Sequence, residues 1–308
     1  MPAFNRRQFI QATTAATVGI AWDNPLFAAP EEDAKGPFDL VAVRNGGAVE
    51  MFEAGIAALG GMEAFVKKGQ KVVVKPNIGW DKPPEIPANT NPELVAAIIR
   101  HCLKAGASKV VVFDHTCNQW EKCYEHSGIA AAAKAAGAEV LPGNDGAFYR
   151  EVTIPNAKLL KQAKVHREIL DNDVFINVPV LKCHGGTKLT MAMKNLMGIV
   201  LDRQFWHRSG LDQCIAEFCL YPRRPDLNIL DAYRVLRQHG PQGRAPEDGE
   251  IMKYQLLGKD IVAIDAAGAK LFGKDPINDI AHVKMAGDLG IGQPDVSKVR
   301  MKRITLPA

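Results

Sequence analysis

Residues Lys71–Asn77 read KVVVKPN, and residues Lys109–His115 read KVVVFDH. Each stretch opens with a lysine, runs through three valines and ends in polar residues. Continuous β-branched runs suit strands buried on both faces, because neither side of the pleat is left for water. Between them, Glu93–Lys104 carries apolar residues at helical spacing, with Asn91 placed to cap the first turn and Pro92 at the first helical position. Strand, helix and strand in this order predict a parallel pair joined by a right-handed crossover.

The alternation extends both ways along the chain. Leu40–Val43 is a short apolar strand ending in Arg44-Asn45-Gly46-Gly47. Val49–Phe65 is helical in pattern, broken at Gly60-Gly61. Ile129–Ala136 is an alanine-rich helix closed by Gly137, followed by a strand at Glu139–Leu141. Tyr149–Ile154 alternates like an edge strand, while Leu159–Val165 fits neither period. Asp173–Leu181 is a strong buried strand that leads into Lys182-Cys183-His184-Gly185-Gly186-Thr187. Helices are expected over Lys188–Val200 and Leu211–Cys219. Leu227–Leu230 and Ile261–Ile264 read as strands ending at Asp231 and Asp265. A helix at Ala266–Phe272, another at Ile277–Leu289 and a strand at Val299–Thr305 complete the pattern. The expected fold is α/β: a Rossmann-like, doubly wound, mostly parallel sheet with helices on both faces and an irregular insertion. No Gly-x-Gly-x-x-Gly follows the first strand, no Walker loop is present, and no repeat recurs at a fixed period.

The composition is that of a globular protein. Of 308 residues, 47% are hydrophobic and 23% charged, which excludes a collagen, a disordered tail and a disulfide miniprotein. The net charge of +4 is too small and too dispersed to point to nucleic acid. At the N-terminus, Asn5-Arg6-Arg7-Gln8-Phe9-Ile10-Gln11 sets two arginines before a mild apolar stretch from Ala12 to Trp22. This reads as a twin-arginine export signal over residues 1–29. Residues 30–37 form a polar linker and 38–308 a single α/β domain. The expectation is an exported, periplasmic protein whose partner in transit is the twin-arginine export machinery. It is tethered only if the signal stays attached. No stretch reaches membrane-spanning length.

Ligands in open α/β sheets bind at the carboxyl ends of the parallel strands, and here those ends are polar. They carry Lys75 and Asn77, Asp114 and His115, Lys182 and His184, and then Asp231 and Asp265. The sharpest local run is Lys182-x-His184-Gly185-Gly186-Thr187-Lys188. Two glycines leaving a strand before an expected helix would let free N–H groups approach an anion. Thr187, Thr190 and Lys194 would then share one helix face, with Asn195 beside it. The competing reading is a polar helix cap with solvated lysines. Asp114 and His115 fit an acid/base or metal-ligand pair, against the plainer reading of a surface turn. Asp231 and Asp265 extend that metal set, although Asp265 also fits a helix cap. Trp120, Phe205 and Trp206 fit packing better than a pocket wall. The six cysteines match neither zinc nor ferredoxin spacing. Disulfides remain open in an oxidising compartment, Cys102 reads as core, and Cys183 reads equally as a ligand and as packing.

Three segments together carry a resemblance. They are Lys75-Pro76-Asn77, the run Pro179-Val180-Leu181-Lys182-Cys183-His184 through Lys194-Asn195-Leu196-Met197-Gly198, and Leu230-Asp231 before Gly240-Pro241. From about Leu40 to Gly273 the chain resembles the domain of unknown function 362. The resemblance implies an exported or iron–sulfur-associated protein, and some members add a ferredoxin module. No Cys-x-x-Cys-x-x-Cys run occurs in this chain.

The leading expectation is a protein that binds a small phosphate- or carboxylate-bearing ligand and acts on it as an enzyme. Lys75, Asn77, Lys182, Gly185, Gly186, Thr187, Lys188, Lys194 and Asn195 would bind, and His184, Asp114 and His115 would do the chemistry. A divalent metal on Asp114, His115, Asp231 and Asp265 is the cofactor the residues admit, ahead of an iron–sulfur cluster. The alternatives are a metal- or iron–sulfur-dependent redox protein and a non-catalytic ligand-binding protein.

Overall fold

A computed structural model describes residues 24–28 and 38–307. The arginine pair, its apolar stretch and the linker lie outside the described residues. The strands are β1 Leu40–Arg44, β2 Lys71–Pro76, β3 Lys109–Val112, β4 Glu139–Val140, β5 Tyr149–Thr153, β6 Gln162–His166, β7 Val174–Val178, β8 Val180–His184, β9 Lys188–Thr190, β10 Leu227–Leu236, β11 Gly249–Gly258 and β12 Met301–Thr305. The main sheet runs β12-β1-β11-β10-β7-β2-β3-β4, with β8 paired to β10 and β9 beside it. Pairing is parallel between β12 and β1, β10 and β7, β10 and β8, β7 and β2, β2 and β3, and β3 and β4. It is antiparallel around β11 and between β8 and β9. The mixed α/β fold with a mostly parallel sheet is the one the valine runs predict.

The two-residue period of a strand divides the side chains between two cores. Val41, Val43, Val72 and Val74 pack on one face with Phe52, Leu94, Ile98 and Ile129. Leu40, Ala42 and Val73 pack on the other with Ile215, Val262 and Val283. The helices Ala48–Ala58, Pro92–Lys104 and Ile129–Ala135 therefore cover the first face. Leu211–Phe218, Ile261–Phe272 and Ala281–Asp288 cover the second. Asn91 caps its helix as expected, its side chain accepting from the N–H groups of Glu93 and Leu94.

Several expectations fail. Lys188–Val200 is not one helix. β8 and β9 form a hairpin in which Lys182 faces Thr190 and His184 faces Lys188, with Gly185-Gly186 at the reversal. A short helix, Ala192–Asn195, and a tight turn, Leu196–Ile199, follow. The glycine pair serves a chain reversal, so no helix begins beside it. Ile261–Ile264 is the first turn of a helix, because Asp260 accepts from Val262 and Ala263 N–H and caps it there. A four-residue apolar run cannot by itself tell a strand from a buried helix turn. β11 was not anticipated, since its first half is largely exposed and breaks the apolar pattern. Tyr149–Thr153 leaves the main sheet and pairs with Gln162–His166 in a sheet of two strands. The last helix is confined to Ala281–Asp288, and Trp120–His126 is an unanticipated helix. No helix among the described residues is long and apolar enough to cross a membrane.

Candidate functional site

The parallel strands β2, β3 and β7 end on one edge of the sheet, and the polar residues that follow them meet there. Lys75 is fully buried, and three acceptors surround its Nζ: Pro76 O, Asn195 Oδ1 and Asp114 Oδ1, each at 2.8 Å. Nζ donates to the first two, and the Asp114 oxygen is its charge partner without an aligned hydrogen bond. Asp114 is also buried, and its second oxygen accepts from Ile78 N–H at 2.6 Å. Gly198 closes the pair from above. A Cβ there would fall on Asp114 Oδ1 and lie 2.6 Å from Lys75 Nζ.

The Lys75 Nζ donor orients a row of amides. Asn195 presents its oxygen to Lys75 and so must donate from the other side, to Asn177 Oδ1 at 2.8 Å. Asn177 then donates to Asn228 Oδ1 at 2.9 Å, and Asn228 donates to the carbonyls of Gly258 and Lys259. The Asn195 oxygen also accepts from Asn77 Nδ2 at 3.1 Å, which turns Asn77 Oδ1 toward Lys182. Each amide orientation is fixed by its neighbour rather than chosen freely.

Above this row lies a cleft of about 160 Å³ lined by Asn77, Trp80, Asp114, His115, Cys117, Lys182, His184, Thr190, Lys194, Asn195, Arg203 and His207, among others. Lys182 is buried, and its Nζ donates to Asn77 Oδ1 at 2.7 Å and to Ala88 O at 2.6 Å. Burial pushes it down to about 7. Lys194 has one weak polar contact, Met197 Sδ at 3.7 Å, and burial pushes it down to about 8. Arg203 donates to the carbonyls of His115 and Thr116 and approaches Cys117 Sγ at 3.5 Å, tying down the loop after β3. Among the described residues no carboxylate lies within ion-pair distance of Lys182, Lys194 or Arg203.

The two cleft histidines are held in opposite tautomers. His115 Nδ1 lies 2.9 Å from Val200 O and must carry its proton there, leaving Nε2 as an acceptor. His184 Nδ1 accepts from the N–H groups of Gly186 and Thr187 at 3.0 and 3.2 Å, so its proton sits on Nε2. Burial, then Lys194 and Lys182, push His184 down to about 3. Burial likewise lowers His115, with Arg203 adding to it.

Of the residues singled out in the sequence, Asn77, Asp114, His115, Lys182, His184, Lys194 and Asn195 line this cleft, and Lys75 lies directly beneath. Gly185, Gly186, Thr187 and Lys188 belong to the β8–β9 hairpin instead. The N–H groups of Gly186 and Thr187 are taken by His184, and the Thr187 hydroxyl donates to Leu189 O at 2.9 Å. An anion cradle at a helix start does not exist there.

The metal set also separates. Asp231 accepts from Asn91 and Tyr233 N–H in a neighbouring depression and is pushed up to about 6 by burial. Asp265 accepts from Ala192 and Met193 N–H, capping that short helix, and burial pushes it up to about 7. The Asp114 carboxylate is taken by Lys75 and Ile78. No three His, Cys, Asp or Glu side chains gather for a metal among the described residues.

The cysteines are free thiols in the structure. Cys102, Cys123, Cys214 and Cys219 are buried, Cys183 accepts from Gly240 N–H at 3.2 Å, and Cys117 stands at the cleft rim. Arg203, His207 and Trp80 were missed in the sequence, where they sit in irregular stretches that no periodicity marks. Trp206 is core and Phe205 is exposed.

The family described as "Domain of unknown function (DUF362)" matches residues 72–270, a span that holds the cleft side chains named above. The Thylakoid-associated protein sll1697 of Synechocystis sp. is 27% identical over 225 residues, covering 71% of this chain and 68% of that protein. Two solved structures are similar in part. The lactate racemase apoprotein of Thermoanaerobacterium thermosaccharolyticum superposes with a TM-score of 0.38 and 10% identity, covering 68% of this chain and 53% of that one. A structural-genomics target from Thermotoga maritima gives a TM-score of 0.46 and 12% identity, covering 78% and 59%. The chain thus spans less than two thirds of the length of either solved protein.

Proposed function

This chain belongs to the DUF362 family, and we propose that it binds a small carboxylate- or phosphate-bearing ligand in the cleft above Lys75 and acts on it as an enzyme. One observation carries the reading: Lys182, Lys194 and Arg203 converge on a single cleft without a carboxylate of their own. Lys194 and Arg203 are half-buried and have no carboxylate within ion-pair distance, and an anion seated against them supplies the missing countercharge. The cleft has room for a small ligand. His115 offers an acceptor nitrogen that can take a proton, and neutral His184 offers an N–H that can hydrogen-bond the ligand at the same site. The test is calorimetric titration with phosphate and with oxalate. Both should bind, and Lys194→Gln should weaken them at least tenfold, about 1.4 kcal/mol. Equal affinity in the variant removes the reading.

The same proposal makes the protein an exported one, on the strength of Arg6-Arg7 and the apolar stretch behind them. Replacing both arginines by lysine should retain the protein inside the cell on fractionation. Undiminished recovery outside the cytoplasm contradicts export by this route.

A further inference from the structure

Lys75 and Lys182 are buried on the same edge, yet their nitrogens are bonded differently. Lys75 Nζ donates to two neutral acceptors and has the Asp114 carboxylate at ion-pair distance. Lys182 Nζ has two, both neutral: Asn77 Oδ1 and Ala88 O. A neutral amine has two N–H bonds and one lone pair. The two acceptors therefore satisfy the amine and leave its lone pair, whereas an ammonium ion would leave a third N–H and a full charge unmatched. Burial presses the same way and outweighs the neighbours, of which Cys117 and Asp114 favour a charge on Lys182 while Lys194 and Lys75 disfavour one. Asn77 cannot rotate to donate to the amine, because its Nδ2 is held by Asn195.

We propose that Lys182 is a nucleophilic amine that condenses with the carbonyl carbon of a small 2-oxo acid bound in the cleft. This rests on the anion-binding reading and deepens it by naming the substrate class. Lys194 and Arg203, which line the same cleft as Lys182, receive the carboxylate. The nitrogen lone pair forms the C–N bond, and the carbonyl π pair moves to oxygen. One amine proton passes to that oxygen through His115 Nε2, giving a carbinolamine. The nitrogen pair then forms C=N, the C–O bond breaks, and oxygen leaves as water with both former amine hydrogens. No oxidant or reductant takes part. Burial holds the amine down to about 7, so a large fraction is unprotonated at neutral pH, as an activated lysine requires.

The experiment incubates the full chain with pyruvate or glyoxylate and sodium cyanoborohydride, which reduces an imine to a stable secondary amine. Intact mass should show one adduct, and peptide mapping should place it on Lys182. Lactate, with the same carboxylate and no carbonyl, should give no adduct and should slow the labelling by pyruvate. Lys182→Met should remove the adduct. Mapping the unsubstituted protein gives the answer even if that variant fails to fold. An adduct on Lys194 instead, or none from either acid while phosphate binds, overturns this inference alone. Failure of phosphate and oxalate to bind, together with no adduct, overturns the anion-binding reading as well.

Discussion

Gly198 shows how tightly a single position can be set by charge. Its missing side chain leaves the room in which Lys75 and Asp114 meet. Neither partner can swing aside, because Nζ is also bonded to Asn195 and Pro76, and Asp114 to Ile78 N–H. Gly198→Ala should therefore separate the pair or displace the Leu196–Ile199 turn, costing about 3 kcal/mol or more. Urea denaturation of the two proteins measures it, and a loss below about 1 kcal/mol would mean the pair tolerates the methyl group. At this scale the sequence was informative about residue type. Lysine, asparagine and aspartate at strand ends are rare enough in a core to be noticed, and their meeting follows from parallel strands. The pairing of Lys75 with Asp114, and of His115 with Val200 O, depends on distances that no spacing along the chain encodes.

The β8–β9 hairpin and the helix Ile261–Phe272 mark where element-level reading failed. Gly185-Gly186 after a buried strand serves a helix start and a hairpin equally well, and Leu189 buried on β9 settles it in favour of the hairpin. Asp260 stands one residue before an apolar run and caps it. Periodicity alone gives a run this short no direction, and Asp265 at its far end looks equally like a strand terminus. The valine strands were legible because burial on both faces leaves one composition that fits, while β11, half exposed, has no such signature. The hairpin makes a distinguishing prediction. Gly185 has open space where a Cβ would stand and does not need a left-handed backbone. Gly185→Ala should change stability by no more than about 0.5 kcal/mol and leave phosphate affinity unaltered. A glycine at a helix-start anion cradle would instead lose affinity with the added methyl. Thermal unfolding and the phosphate titration decide between them.

For the molecule as a whole, the buried titratable groups shape stability against pH. Asp231 and Asp265 are raised to about 6 and about 7 from an ordinary 3.8. Their contribution is present below that ordinary value and is lost as pH rises through the folded values. Lys182 and Lys194 are lowered to about 7 and about 8 from 10.5. Their contribution is present above 10.5 and is lost as pH falls through those values. Together these four groups produce a minimum near neutrality. The unfolding temperature in phosphate-free buffer should rise between pH 7 and pH 9. Added phosphate should raise it most at pH 7, where binding restores favourable surroundings to the ammonium forms. A curve that falls across this window, or a phosphate effect independent of pH, would show that other groups dominate.

The row of asparagines reaches further than the cleft it supports. Asn228 bonds to carbonyls at the end of β11 and just beyond it, and it is joined to Lys182 only through Asn177, Asn195 and Asn77. A turned amide anywhere along that line would present like to like at the next member, so a change at one end is inherited at the other. In descendants of this chain, positions 77, 177, 195 and 228 should accordingly vary in concert or stay still, although Asn228 itself never faces the guest.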